Sequence, residues 1–412
     1  MYVFYQFLSP DDVVSSVLLS ELCSGLVDQG WQVTAFPCAR RFKDGSRIYP
    51  RSEVWNGVKI ERIWRPAWKQ DSSIGRILNA VWMIVRWSML ALQRRHKPDV
   101  IIIGTDPILS VSIAPIWRFF KPKTMIAHWC FDLYPEAAFA DGLLKRDGMA
   151  SRILRPLLKR AYRACNLVVD IGPCMRDLLR KHDPNLRMST MAPWALSEPE
   201  CPLPIASEER QKIFGNARLA LMYSGSFGRA HSFEDMLELA RLLRNDGVHL
   251  ACSVQGNRAA ALRAAVRPEE DTNIHFVPFA DASGLETRLA SADIHVVSLR
   301  EEWTGTVVPS KFFGALAIGR PVLFCGSRSS AIAIWIEKYG LGWVLAPGET
   351  AQVAASIRAV VSDPDALERV RQQCYCVYRD NFSKNAVIQM WHQHLMQLLT
   401  QKLSGTSIKH LA

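Results

Sequence analysis

The sequence predicts an α/β protein with two doubly wound parallel sheets, one in each half of the chain. Three observations carry this. Short apolar runs alternate with longer amphipathic ones from end to end, the pattern of strands joined by crossover helices. Several short runs, such as Asp99-Val-Ile-Ile-Ile-Gly104, are apolar almost throughout, as strands covered on both faces are. The alternation stops once, at Ser197–Glu208, a stretch rich in Pro, Glu and Ser, and then resumes.

In order, Tyr2–Phe7 reads as the first strand, and Ser9-Pro10-Asp11-Asp12 as a turn into a helix over Val13–Gly30. Trp31–Phe36 and Val58–Ile63 read as strands, and a long helix covers about Ile74–His96. Asp99–Gly104, Thr124–His128 and Leu167–Gly172 are expected to be buried strands. In the second half the expected strands are Leu219–Tyr223, His249–Gln255, Ile274–Val277, Ile294–Leu299 and Pro321–Phe324, and Ser383–Leu403 is a terminal amphipathic helix. Two Rossmann-like halves joined by one linker imply a cleft between them. The expected domains are residues 1–196, 197–382 and a terminal helix, 383–412, packing back on the first.

Composition narrows the function. The 412 residues are 49% apolar and 22% charged, which excludes a disordered chain or a disulfide miniprotein. No run approaches the ~20 apolar residues of a membrane span. The net charge of +11, with 13 Trp, suits an anionic membrane surface or an anionic small substrate. No nucleic-acid-binding module is recognisable, so nucleic acid is not an expected partner. Ten Cys without a C-x-x-C pair, and an N-terminus lacking the basic start of a signal peptide, point to a reduced, cytoplasmic protein. The apolar stretch Ile77–Leu92, with Trp82 and Trp87, reads as a core helix or one lying in a bilayer interface. Between Lys145 and Arg187 there are 11 Lys/Arg against 4 Asp/Glu, a basic excess suited to an anionic leaflet.

Candidate site residues cluster at expected strand ends, where open α/β sheets bind ligands. Ser310 is placed to cap a helix over Ser310–Ile318, with Lys311 adding a full charge beside an anion-binding helix start. Gly225-Ser226-Phe227-Gly228-Arg229 follows a strand. Its glycines let amides approach a diphosphate, and Arg229 can neutralise one; a simple turn is the plain alternative. Arg229 and Lys311 together form an expected two-cation clamp. Gln255 and Gly256 end a neighbouring strand, and His231 is expected to cap or pack. In the first half, Asp11 and Asp12 are either helix-start charges or acceptor contacts. His128 and Asp132 stand near another strand end and are candidates for contact with a reacting hydroxyl. No metal site is expected: His392-x-His394 sits on a helix, and Asp363-Pro364-Asp365 reads as a helix start.

One segment is more specific than these. Pro309-Ser-Lys-Phe-Phe-Gly-Ala-Leu-Ala-Ile-Gly-Arg-Pro-Val322 resembles the carboxy-domain signature of glycosyltransferase family 4. Leu221–His231, Ala290–Val297 and Asp132-Leu-Tyr-Pro-Glu136 resemble further elements of that family, the last in transferases of cell-surface polysaccharides. The resemblance implies a GT-B fold, with an acceptor domain followed by a donor domain. It also implies a nucleotide-sugar donor, UDP-linked, used with retention of configuration and without a metal or other cofactor. The acceptor would be lipid-linked or a glycan, at the inner face of the cytoplasmic membrane. The family's E-x7-E glutamates are replaced by Thr306 and Gly314, with Glu301 and Glu302 as possible substitutes upstream, and Thr306 is carried as a donor-side residue. A non-hydrolysing sugar-nucleotide epimerase and a catalytically inactive glycan- or membrane-binding protein are the alternatives.

Overall fold

The computed structural model describes residues 1–11, 13–70, 72–280 and 284–403. The chain divides into two compact units: Met1–Ala192 together with the chain from Val387 onward, and Pro193–Ala386.

The first unit holds an eight-stranded sheet. Its strands are β1 (Tyr2–Phe4), β2 (Thr34–Ala35), β3 (Ser52–Trp55), β4 (Val58–Glu61), β5 (Val100–Gly104), β6 (Met125–Trp129), β7 (Leu167–Asp170) and β8 (Met188–Thr190), in the order β3-β4-β2-β1-β5-β6-β7-β8. All neighbours are parallel except β3 and β4, a hairpin closed by Asn56-Gly57. That dipeptide is a strong hairpin signal. The expected strand Trp31–Phe36 contracts to β2 because the Trp31 amide closes the preceding helix on Leu26 O, at 3.0 Å.

The helix Ser73–Leu92 starts where the Ser72 hydroxyl accepts from the Gly75 amide at 3.0 Å. Its buried side carries Met83, Trp87 and Ala91 into a core with Phe4, Phe36 and Trp117. Trp87 is fully buried and its indole N–H donates to Phe36 O at 2.8 Å. Of the two readings of this stretch, Trp87 therefore follows the core one and cannot face a membrane. The opposite side of this helix exposes Ile74, Ile77, Leu78, Val81 and Val85, and Leu78 stands four residues from the half-buried Trp82. The helix Ala114–Phe120 contacts both this helix and Met149–Ala164. Phe119 and Phe120 of the first, and Met149, Ile153 and Leu157 of the last, are also exposed.

The terminal helix Lys384–Leu403 completes this unit. Its Trp391 is fully buried with its ring centroid 5.3 Å from that of Trp129. His392 accepts from the Trp31 indole at 3.1 Å, and Lys402 pairs with Asp99 at 2.9 Å.

The second unit is a six-stranded, wholly parallel sheet in the order β11-β10-β9-β12-β13-β14. Its strands are β9 (Leu219–Ser226), β10 (Val248–Gln255), β11 (Ile274–Phe276), β12 (Ile294–Ser298), β13 (Val322–Cys325) and β14 (Gly342–Leu345). β9 runs three residues beyond its expected end, so Gly225 and Ser226 are strand residues, paired with Val254 and Gln255. Arg320, fully buried, donates to six carbonyls: Leu203, Pro204, Ala290, Ala292, Ile318 and Gly319. It thereby ties the linker to the sheet. Asp363 caps the helix Pro364–Asn381 by accepting from the Ala366 amide at 3.0 Å, and Tyr375 of that helix donates to Pro199 O at 3.2 Å.

Candidate active site

Each sheet has one place where the chain reverses its direction of winding. In the second unit the chain leaves β9 for β10 and β11, then returns to β12 on the other side, so the switch point lies at the carboxyl ends of β9 and β12.

Lys311 opens the seven-residue helix Lys311–Ala317 at this place. Its Nζ donates to the Tyr223 hydroxyl at 2.6 Å and to Ser226 O at 3.0 Å, and stands 4.1 Å from the centroid of the Tyr223 ring. A Cβ built on Gly225 would lie 3.4 Å from Lys311 Cε, so the strand end is also the wall against which the lysine rests. Desolvation by the surrounding protein pushes the Lys311 ammonium down to about 7. A lysine in that position takes up a proton readily when an anion arrives.

His231 packs against the same group, its ring centroid 5.6 Å from that of Phe227, and its Nδ1 pairs with Ser298 O at 2.6 Å. Burial and then the Lys311 charge push this imidazole down to about 3, which keeps it neutral. Gly256 has φ +127°, and a Cβ there would stand 2.7 Å from Phe227 O. The turns after β9 and β10 are therefore in backbone contact, which only glycine permits at this spacing.

Other expected donor-side residues are placed differently. Arg229 is exposed, three residues beyond Ser226, on the turn from which Arg229 O accepts a bond from Arg300. The Gln255 side chain is exposed, while its carbonyl accepts from the Phe227 amide at 2.7 Å. Ser310 does not cap: its backbone is itself helical and its side chain makes no cap bond. Thr306 is buried and its hydroxyl donates to Trp303 O at 2.8 Å, so that group serves the loop. Glu301 and Glu302 are exposed in a short 3-10 turn, with Glu302 3.5 Å from Arg300. A Cβ at Gly314 would meet nothing within 4 Å.

In the first unit the switch point lies between β1 and β5. Beside it, Thr105 Oγ1 donates to Trp129 O at 3.1 Å and accepts from the Phe131 amide at 2.7 Å, stitching the loop after β5 to the loop after β6. His128 lies within β6, not beyond its end. Its Nδ1 pairs with Ile103 O at 2.9 Å, and burial pushes it down to about 4, so it is a neutral imidazole.

Asp132, His128, Thr105, Ser110, Tyr134 and Tyr162 are among the walls of one small pocket. Asp132 is reachable by solvent, yet the protein around it strips enough hydration to push its carboxyl up to about 6. Asp106, one residue past Thr105, is pushed up to about 7 by burial and by the Asp132 charge.

Asp11 is buried, and its carboxylate accepts from the Phe42 amide at 2.9 Å and the Tyr49 hydroxyl at 3.1 Å. It holds the segment after β2. Asp12 lies outside the described residues.

Residues 15–194 match the family described as "Glycosyl transferase 4-like domain", and residues 218–363 match "Glycosyl transferases group 1". The chain belongs to the family 4 glycosyltransferases. This glycosyltransferase is 23% identical over 343 residues to the probable glycosyltransferase WbjE of Pseudomonas aeruginosa, covering 82% of this chain and 84% of that one. Its fold is that of WaaG, a glycosyltransferase involved in lipopolysaccharide biosynthesis, with TM-score 0.63, 15% identity, and coverage of 96% and 99%. It is also that of Anabaena HepE in complex with UDP and glucose, with TM-score 0.65, 13% identity, and coverage of 96% and 100%. The GT-B architecture expected from the sequence is thus the observed one.

Two groups at the switch points escaped the sequence reading of this glycosyltransferase. Tyr223 sits in an apolar strand and reads as core; only its contact with Lys311 distinguishes it. Asp106 follows the apolar run of β5 directly before Pro107, a strand-end position that could have flagged it.

Proposed function

We propose that this glycosyltransferase moves a sugar from a UDP-linked donor, held by the second unit, to a lipid-linked or glycan acceptor held by the first, in bacterial surface polysaccharide or glycolipid synthesis. The observation that carries the donor assignment is Lys311, held on the ring and hydroxyl of Tyr223 at the switch point beside Gly225. A leaving diphosphate gains negative charge in the transition state, and a preorganised cation stabilises it most there. Arg229, on the turn after β9, is the second cation of the clamp. These cations neutralise the diphosphate without a bound metal. UDP in HepE and the lipopolysaccharide role of WaaG support the classes of donor and product. Retention of configuration follows from the family resemblance.

Asp132 and His128, on the walls of the first unit's pocket, contact the acceptor hydroxyl in this reading. The first unit also meets an anionic membrane. Its exposed Ile153 and Leu157 stand among the exposed Arg152, Lys159 and Arg160 on one helix, and the stripe Ile74–Val85 adds apolar surface. Among the described residues, no helix is long and apolar enough to cross a membrane; attachment is therefore peripheral in this reading, at the cytoplasmic membrane's inner face.

The test is transfer of radiolabel from a panel of UDP-sugars into a bacterial lipid extract. Label moving to the organic phase with wild type, and staying in the nucleotide with Lys311→Ala, is expected. Label released only as free sugar, or no dependence on Lys311, would refute the reading.

A further inference from the structure

We propose that His231 is a further donor contact, in which the unprotonated Nε2 of its ring accepts a hydrogen bond from a hydroxyl of the nucleotide-sugar. This deepens the reading above and rests on its placing of the donor in the second unit.

The turn after β9 holds the residue in place. The His231 amide donates to Gly228 O at 3.1 Å, which closes the turn on itself. The Arg300 amide, just past the end of β12, donates to Ala230 O at 2.8 Å, and Arg258 donates to His231 O. The imidazole stands edge-on to Tyr223, with ring centroids 6.0 Å apart. Lys311 rests on the same tyrosine, through its hydroxyl and its ring. Histidine and lysine therefore share one aromatic neighbour at the switch point.

The hydrogen bond of the ring fixes its tautomer. A carbonyl oxygen only accepts, so the 2.6 Å contact of Nδ1 with Ser298 O puts the ring proton on Nδ1. Burial and the Lys311 charge oppose a second proton. Nε2 is thus left with a lone pair. The residue is half-buried, no group among the described residues donates to Nε2, and that atom is not among the buried ones lacking a partner.

The chemistry of this lone pair selects what it meets. A diphosphate at Lys311 presents only acceptor oxygens, which repel Nε2. The groups of a nucleotide-sugar that can donate to it beside the diphosphate are hydroxyls, of the ribose on one side and of the sugar on the other. Lys311 takes the phosphate and His231 the hydroxyl. The contact binds and orients the donor; it moves no proton.

The experiment uses the full chain, as wild type, His231→Asn and His231→Gln, with calorimetric titration of UDP, UDP-glucose and inorganic pyrophosphate. Asn keeps an amide donor where Nδ1 stood and leaves nothing at Nε2; Gln does the reverse. His231→Asn should melt close to wild type and bind pyrophosphate equally well. It should lose about tenfold in affinity for a ligand that carries the hydroxyl. Loss with UDP and UDP-glucose alike assigns the ribose, and loss with UDP-glucose alone assigns the sugar. His231→Gln should melt lower yet keep more of that affinity. Nitrogen spectra of histidine-labelled protein should show the proton on Nδ1. Wild-type affinity of His231→Asn for both nucleotides, an equal loss for pyrophosphate, or a proton on Nε2 overturns the contact alone. A wild type that binds neither UDP nor UDP-glucose removes the donor site proposed above, and this contact with it.

Discussion

Lys311 Nζ donates to the Tyr223 hydroxyl at 2.6 Å while standing 4.1 Å from the centroid of the same ring. One aromatic side chain thus offers both an acceptor and a negative face to one cation. Lys311→Ala should lower turnover and donor affinity together, by roughly 2–4 kcal/mol of transition-state stabilisation. Tyr223→Phe keeps the ring and removes one hydrogen bond to a charged group, at a cost of about 1.5–3 kcal/mol. Steady-state kinetics with a fixed acceptor check both; unchanged turnover in folded Lys311→Ala would contradict the donor site.

Donor binding should depend on pH through the same lysine. Burial holds Lys311 near 7, so the free protein loses this charge as pH rises past neutrality. A bound diphosphate favours the ammonium, and binding therefore takes up a proton above pH 7. Affinity for UDP should fall above neutrality by at most about tenfold per pH unit. For stability the sign is opposite. The unfolded chain binds the extra proton between about 7 and 10.5, so the cost of burying Lys311 eases as pH rises through that window. Calorimetry in buffers of different ionisation enthalpy reads the uptake. Proton-neutral binding at pH 8 is the contrary result.

Two glycines near the site should respond oppositely to alanine. At Gly256, with φ +127° and Phe227 O 2.7 Å from the added Cβ, alanine should cost about 1–3 kcal/mol and displace the turn beside Ser226. At Gly314, where an added Cβ meets nothing within 4 Å in a helix, alanine should stabilise by about 0.5–1 kcal/mol. Urea unfolding of the two variants, with donor affinity alongside, checks both signs.

Arg320→Met should be among the most damaging single changes, because it removes a donor from six carbonyls, of which Leu203, Ala290 and Ile318 keep another, from Arg371, the Ala206 amide and the Leu203 amide. A loss of about 3–5 kcal/mol is expected. Protease cutting within Ser197–Glu208 should rise with it. A thermal midpoint within a degree of wild type would show that the linker is held otherwise.

Membrane attachment should depend on apolar residues as well as on charge. Replacing Ile153 and Leu157 with Glu should abolish sedimentation with anionic vesicles, since each buried side chain of this size contributes about 1.5–3 kcal/mol. Salt should weaken wild-type binding without removing it. Retention of the double variant on vesicles at low salt would leave electrostatics as the whole attraction.

The sequence made the architecture legible where burial is two-sided: the runs of β5, β6 and β7 admit few other readings. It was less informative where tertiary contacts decide. Trp87 was open to a core and to an interfacial reading because its helix carries apolar residues on both sides, and only packing shows which side Phe4 and Trp117 occupy. Ser310 carried a capping signature, but its own backbone turned helical and the chance was lost. Lys311 was visible in a motif; Tyr223 was not, because packing of a helix start on β9, 88 residues away in sequence, brings the two together. Asp11 reads in sequence as a helix-start charge or an acceptor contact; its hydrogen bonds to Phe42 and Tyr49, more than thirty residues away, are not legible from its neighbours in sequence.

The first unit is discontinuous in the chain, since Lys384–Leu403 completes it after the whole second unit has been made. On a ribosome, residues 1–192 emerge first and finish last. At about 5–20 residues per second, they wait roughly 10–40 s for the strand of synthesis that carries Trp391 to arrive. Until then Trp129 lacks its ring partner, and Gly25 lacks the Ile388 side chain that lies against it. The second unit, contiguous and entirely parallel, reaches completion during that interval. The order of birth and the order of completion are therefore reversed: a chain that ends before residue 387 has no means of completing its amino-terminal unit.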